Sequence, residues 1–546
     1  MTGAQAIARI LKLEGVEQVF CFPLTPILEA LADEDIRPIV ARQERVAENM
    51  ADGFSRASCG KRIGVVSVQD SAGAENGFAG IAQANTDSSP ILFLPGHPGH
   101  DRVGVKPTFD AVENFRGVTK YASRISSVSA VSEHMRRAYT ALRSGRPGPA
   151  LVEIPRDVAI GELDGELEYQ PVVPIRSAAD PAAVREAVKI LLAAERPLIR
   201  CGQGVIYAGA TDELTEVAEL LAAPVMTTLL GKSAFNESHA LALGTGSLSE
   251  AGMVPDYLGR CDAILGIGTS LTKTIFGSVI PTGPKIIHAT NDPADINKDC
   301  VATVGLVGDA KLVLAQFAEE IRSQTDGKGR AGLDDVKAYV ASVKKPWLER
   351  WVALQTSNET PLNPYRVIKE FTNLTNAADT IVTHESGGSR DQLVPLYEAV
   401  TPRGYIGWGH STQLGFSLGA AMGAKLACPE KLVVNFTGDT AFGMVGMDLE
   451  TAVREEIPIL TVLLNNSAMG NYDKHIPKAS AKYGTRFTTG NYSEVAKGLG
   501  AYSERIAEPG DIRAALERGI RSTRDGRAAL IEFITKEEPD IPYRKR

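Results

Sequence analysis

The chain has 546 residues, 44% of them apolar and 23% charged, with a formal net charge of −8. That length exceeds what one core supports and implies about three domains, while the mild negative charge excludes nucleic acid or an anionic membrane as the main partner, since either needs a basic surface. No apolar run approaches bilayer length.

The N-terminus, MTGAQAIARILKLEGVEQVF, lacks a signal-peptide core and cleavage site and fits an amphipathic helix followed by a strand. The cysteines are scattered without a Cys-x-x-Cys pair, which suits a reducing, cytoplasmic setting. The histidines show no metal-ligand spacing, so a catalytic metal held wholly by side chains is not expected.

Strand-like and helix-like segments alternate throughout, which predicts an α/β protein of open parallel-sheet domains. Breaks in the pattern place three of them at residues 1–165, 183–325 and 362–535, followed by a polar, basic tail at 536–546. In the first domain, RQERVAEN reads by charge alone as an exposed helix face carrying Glu44. The strand PALVEIP closes that block, and the Pro-rich ELEYQPVVPIRSAADPAA reads as a linker. The second block opens with a helix from about Pro181 and the strand PLIRC. The glycine-rich CGQGVIYAG that continues this strand is a weak dinucleotide signal, for which plain turn geometry is a sufficient explanation. A helical connector carrying Trp347 and Trp351 leads to the third block near Pro364.

The richest stretch is NFTGDTAFGMVGMDLETAVREEIPILTVLLNN, from Asn435 to Asn466. It reads as a buried strand, a tight Gly-Asp turn, a helix, a second apolar strand and a pair of Asn. Asp439 follows the first strand and Asn466 the second, so in a parallel sheet both open into the crevice where α/β folds bind ligands. A carboxylate and an amide carbonyl are hard oxygen ligands, and Mg²⁺ favours a few such oxygens with phosphate oxygens completing its octahedron. The residues describe a cradle for a metal-bound diphosphate.

This stretch resembles the diphosphate-binding signature of the thiamine-diphosphate enzymes, Gly-Asp-Gly followed about one βαβ unit later by Asn-Asn, with Thr440 in place of the last glycine. The resemblance extends over nearly the whole chain. VARQERVAENMADGFSRASCGKRIGVV, ANTDSSPILFLPG, KIIHATNDPADINKD and GHSTQLGFSLGAAMGAKLACPE match the acetolactate-synthase-like branch. It implies a pyrimidine-binding domain, a central domain and a diphosphate-binding domain. It makes Glu44 the carboxylate that activates the cofactor's aminopyrimidine ring. It assigns Gly387, Gly388, Ser389, Leu414, Gly438, Asp439, Thr440 and Asn466 to thiamine diphosphate, and Asp439, Asn466 and the carbonyl of Ala468 to Mg²⁺. Gln69, Asp70, Tyr472 and His475 are implied to face substrate, the last two from one side of a helix. His97 and His100 can exchange protons at neutral pH, but a structural role is the simpler reading.

Two departures from the branch stand out. Lys106 and Pro107 fall where acetolactate synthases carry a Phe-Gln pair, and SLTKTIFG replaces their flavin-associated run. Both argue against a true acetolactate synthase and against bound FAD. The implied reaction is carbon–carbon cleavage or formation next to a carbonyl, as in decarboxylation of a 2-oxo acid with carboligation. The alternatives are a 2-hydroxyacyl-CoA lyase or oxalyl-CoA-type decarboxylase, and, from another class, a non-catalytic homologue with a scaffold or regulatory role. Loss of Glu44 would have marked that last case. The implied substrate is a small 2-oxo acid or an acyl-CoA. The implied assembly is a homodimer or homotetramer with sites shared between subunits. The basic tail ending at Arg546 reads as solubilising, or as a cover for an anionic substrate.

Overall fold

Apolar runs of four to seven residues, too short for helices and rich in Val, Ile and Leu, form three six-stranded, all-parallel sheets. The computed structural model describes residues 1–470 and 472–543; the basic end of the tail, Arg544 to Arg546, lies outside them. The first sheet contains β1–β6: Gln18–Cys21, Arg37–Val40, Gly64–Val68, Ile91–His97, Tyr121–Arg124 and Ala150–Pro155. The central sheet contains β7–β12: Pro197–Cys201, Val225–Thr228, Ala242–Gly246, Ala263–Ile267, Lys285–Thr290 and Val304–Val307. The third contains β13–β18: Thr380–His384, Tyr405–Ile406, Leu432–Gly438, Leu460–Asn465, Tyr502–Ile506 and Ala529–Ile534.

The first and third sheets share one topology, β2-β1-β3-β4-β6-β5 and β14-β13-β15-β16-β18-β17. The direction of winding reverses between β1 and β3 in one and between β13 and β15 in the other, and such reversals open the crevices in which α/β folds bind ligands. The central sheet differs. Its order β9-β8-β7-β10-β11-β12 is that of dinucleotide-binding folds, with the reversal between β7 and β10.

The first and third domains are fused through one apolar core that includes Phe20, Phe93, Leu418, Phe442 and Val445, whereas the central domain builds its own. At the junction the helix Glu44–Ala57 lies against the helix Phe416–Ala427 almost backbone to backbone. A Cβ on Gly53 would sit 2.2 Å from the Ala420 carbonyl oxygen, and one on Gly423 would sit 1.9 Å from that of Met50. Every residue of the Glu44 helix except Arg45 is buried. The exposed charged face expected from RQERVAEN is therefore corrected: the Phe416 helix and the helix Ala72–Thr86 cover it.

Gly423→Val should force these helices apart. Overpacking of this kind costs about 1–3 kcal/mol, more when the clash is with backbone. A lowered midpoint in chemical denaturation, together with an unchanged central-domain transition if the two resolve, is the expected outcome.

Candidate active site

Three loops meet at the carboxyl edge of the third sheet because β13, β15 and β16 are neighbours in it. The pairing of His384 with Phe436 and of Gly438 with Leu464 brings all three strand ends level. The loop after β13 carries Gly387, Gly388 and Ser389, the turn after β15 carries Gly438, Asp439 and Thr440, and the loop after β16 carries Asn466 and Ala468. Gly387 has φ 82, a conformation that requires glycine, and it leads into the short helix Gly388–Leu393.

Asp439 is 3% exposed and opens the helix Asp439–Val445. Burial pushes its carboxyl above the usual range, and the Thr488 hydroxyl, which donates to Oδ2, opposes that shift. Thr488 reaches Asp439 because residues 486–488 pair with 467–469: Met469 N donates to Arg486 O (2.8 Å) and Thr488 N to Ser467 O (3.0 Å). Asn466 Oδ1 accepts from Ala468 N at 3.1 Å, which folds the loop into a tight turn. Beneath it, the buried Glu532 accepts from Asn465 Nδ2 at 2.7 Å and from Ser493 N at 2.9 Å. Two cradle hydroxyls, Ser389 Oγ and Thr440 Oγ1, are buried with no hydrogen-bond partner among the described residues. A buried acid held above its ordinary range, an amide oxygen and two orphaned hydroxyls form a donor set that fits a Mg²⁺-bound diphosphate.

Leu414 is half-buried in the loop that leads into the Phe416 helix. That loop is clamped by Glu385, a fully buried carboxylate that accepts from Gly415 N (3.0 Å), Ser417 N (3.2 Å) and Ser417 Oγ (2.9 Å), while its other oxygen takes Ser386 N (3.1 Å). Sequence reasoning missed Glu385, Thr488 and Glu532. The placement of Glu385 between a strand end and Gly387 was the one available signal; the other two are joined to the site only by the fold.

At the carboxyl edge of the first sheet, Glu44 is 5% exposed and accepts from Asn76 Nδ2 at 3.2 Å. Gln69 and Asp70, half-buried, follow β3, and Ser71 adopts φ 48 and ψ −100, a region that glycine favours. His97 is buried, with Nδ1 accepting from Gly99 N at 3.2 Å. His100 pairs with Asp157 at 2.7 Å. Lys106 and Pro107 are exposed. The helix expected to carry Tyr472 and His475 is corrected: Tyr472–Lys474 is a single 3₁₀ turn, and the next helix starts only at Pro477, the residue whose fixed φ suits a helix start. Both side chains are exposed, with ring centroids 6.4 Å apart.

A second crevice lies at the reversal of the central sheet. It is a cavity of about 310 Å³ lined by Gly202, Gln203, Gly268 and Asp295 together with Arg146 of the first domain and His410 of the third. The glycine-rich turn of CGQGVIYAG is thus part of a cavity wall and not only a turn. Among the described residues no cluster of His, Cys, Asp and Glu could hold a metal by side chains alone, and no helix is long and apolar enough to cross a membrane.

The comparisons with known proteins agree with this geometry. The chain matches the thiamine pyrophosphate enzyme N-terminal TPP binding domain over residues 1–118, the central domain over 184–317 and the C-terminal TPP binding domain over 386–533. It belongs to the thiamine pyrophosphate (thiamine diphosphate) enzyme family. It is 31% identical to a probable acetolactate synthase large subunit of Methanocaldococcus jannaschii, over 96% of this chain and 90% of that one. Acetolactate synthase isozyme 3 large subunit of Escherichia coli K12 is 28% identical over 97% and 94%, and a glyoxylate carboligase of Escherichia coli O157:H7 is 30% identical over 95% and 90%. The chain is therefore a thiamine-diphosphate-dependent carboligase or decarboxylase of the acetolactate-synthase-like branch.

Burial pushes the Glu385 carboxyl from 4.5 up to about 7. The folded protein thus keeps a proton that the unfolded chain releases, so this group lowers stability as pH rises from 4.5 to about 7. Glu385→Ala should remove that slope and also strip the Leu414 loop of its clamp. A net loss of about 2–4 kcal/mol at low pH is expected, read from denaturation midpoints of wild type and variant across pH.

Proposed function

We propose that the protein uses thiamine diphosphate and Mg²⁺ to cleave and form carbon–carbon bonds next to a carbonyl, decarboxylating a small 2-oxo acid and transferring the remaining fragment to an acceptor. The observation that carries this reading is the cradle: a buried Asp439, the Asn466 turn and the unpartnered Ser389 and Thr440 hydroxyls, gathered at one sheet edge. Asp439, Asn466 and the carbonyl of Ala468 would hold the metal. Gly387, Gly388, Ser389, Gly438 and Thr440 would hold the diphosphate, helped by backbone N–H groups at the start of the Asp439–Val445 helix. Leu414, fixed through Glu385, would support the cofactor's bend. When bound, thiamine diphosphate supplies the electron sink for the bond being broken. Glu44, steadied by Asn76, would hold and release a proton at the cofactor's ring nitrogen. Gln69, Asp70, Tyr472 and His475 would line the substrate's approach. An acyl-CoA substrate is the second reading. The glyoxylate carboligase relative favours a small 2-oxo acid, since its name specifies one. The SLTKTIFG run favours an enzyme without bound FAD.

Assembly follows from the same reading. Phe78 on the Ala72–Thr86 helix and Met444 and Met447 beside the cradle are large apolar side chains left 41–48% exposed, as expected where a second copy packs. We infer a homodimer or homotetramer in which Glu44 of one subunit and Asp439 of another serve one cofactor across a two-fold interface. Six free cysteines suit work in the reducing cytoplasm.

Asp439→Ala should abolish thiamine-diphosphate binding in calorimetry with Mg²⁺ while the fold persists; unchanged affinity would reject the cradle. Glu44→Gln should leave binding largely intact and lower turnover by about 10²–10⁴-fold, with product analysis on a panel of 2-oxo acids and acyl-CoA esters naming the substrate. Mixing the two inactive variants under subunit exchange should restore part of the activity, because one site in each hybrid dimer is then wild type. Confirmed exchange without recovery would place both residues of a site in a single chain.

A further inference from the structure

Glu48 lies one turn beyond Glu44 on the same helix, so the two carboxyls share a face. Glu48 is 0% exposed, and neither of its oxygens makes a hydrogen bond among the described residues. Its surroundings are shaped to hold it. A Cβ on Gly77 would sit 2.2 Å from Glu48 Oε1, and one on Gly80 would sit 2.1 Å from Oε2. Both glycines belong to the Ala72–Thr86 helix, the element that also presents Asn76 to Glu44. Two side chains are therefore absent from that helix where this carboxyl fits.

The charged groups that bear on Glu48 are Glu44 and Arg45, both on its own helix. The facing helix presents glycines and the peptide groups of Gly80 and Ile81, which favour the anion in part but make no hydrogen bond of normal geometry to it. The Phe416 helix packs on the adjoining Asn49 and Met50 through Gly419 and Gly423. Burial first, and the Glu44 charge second, push the Glu48 carboxyl well above its usual range. A carboxyl kept only to fill space would normally find donors, and an unpaired buried anion is far more costly than a neutral buried acid.

We propose that Glu48 is a positioning residue for Glu44: a second buried carboxyl without hydrogen-bond partners among the described residues, one helix turn behind it, that sets the upper pH limit at which Glu44 can serve the cofactor. The proposal rests on the reading of Glu44 given above. Glu44 has to give up and regain a proton at a ring nitrogen. Two unit charges about 6 Å apart inside a protein shift each other's titration by roughly two pH units. Ionisation of Glu48 would therefore put a second negative charge beside Glu44 and slow proton exchange with the cofactor.

The test has two readouts. The first uses the protein without cofactor. Folded Glu48 keeps a proton that the unfolded chain releases above about 4.5, so it lowers stability progressively as pH rises toward its folded value. Glu48→Gln and Glu48→Leu should lack that slope, and their Tm relative to wild type should rise as pH is raised above about 5. The second readout is the rate of C2 proton exchange of bound thiamine diphosphate against pH. Glu48→Gln should exchange within about threefold of wild type at neutral pH and keep its rate about one pH unit further into alkali. Parallel Tm profiles, or an unmoved alkaline limit, would overturn the proposal; Glu48→Leu serves the stability arm if the amide of Glu48→Gln perturbs folding. Absence of exchange in the wild-type protein would reject the role of Glu44 itself, and the pairing with it, even if the Tm profiles diverge.

Discussion

One buried anion ties the three domains together. Asp87, 0% exposed, sits just past the Ala72–Thr86 helix and is bound from every side. Its carboxylate accepts from Gly409 N and His410 N of the third domain, both at 3.0 Å, from Gln83 Nε2 at 2.6 Å, and from Arg56 at 3.4 Å. Its main-chain carbonyl accepts from Gln203 Nε2 of the central domain at 2.5 Å. Arg56 in turn is held by Asp52 and reaches the Gly407 carbonyl at 2.8 Å. Burial still pushes the Asp87 carboxyl up in spite of the Arg56 charge, and the Gly409 and His410 N–H groups oppose that shift. Loop 407–415 depends on this anchor. One end of the loop borders the central cavity, and the other ends on Leu414 and the Glu385 clamp.

Much of this was legible in the chain, and the misses share a cause. The strand–turn–helix–strand grammar from Asn435 to Asn466 is local, because adjacent parallel strands with one intervening helix must bring their carboxyl ends together. Asp439 and Asn466 could therefore be placed from spacing alone. The Glu44 helix could not be judged that way. A helix with Glu44, Glu48, Asn49, Asp52 and Arg56 among its small apolar residues reads as having a wet face, but amphipathicity counts only one neighbour, and this helix has two. Thr488 lies 49 residues from Asp439 and reaches it through a short pairing of loops that no periodicity announces. The resemblance implies a helix on which the spacing of Tyr472 and His475 gives them one face, yet the chain delays its helix to Pro477.

The twin topologies explain the division of labour. The first and third domains repeat one strand order, so each offers the same kind of crevice. One is lined by Glu44 and Asn76, the other by Asp439 and Asn466. Under the proposed reading, one strand order used twice would supply proton chemistry on one side and phosphate and metal chemistry on the other. The central domain, wound in the other order, holds its own glycine-lined cavity; it touches the first domain through Gln203 and through Asp295, which pairs with Arg146 at 2.9 Å, and the third through Ser233 Oγ, which accepts from Arg403 N at 2.9 Å.

The glycine seam between the Glu44 and Phe416 helices also limits how the molecule can move. With Gly53 against Ala420, Gly419 against the Val46 carbonyl and Gly423 against Met50, the two backbones approach with almost no side chain between them. Side chains can change rotamer to absorb a sliding motion, but bare backbones in contact have no such slack. Rotation of either helix would drive a neighbouring residue's Cβ into the opposing helix. Within one subunit the first and third domains therefore behave as a single casting. Any movement that a ligand demands at the sheet edges would then fall to the loops there and not to this seam.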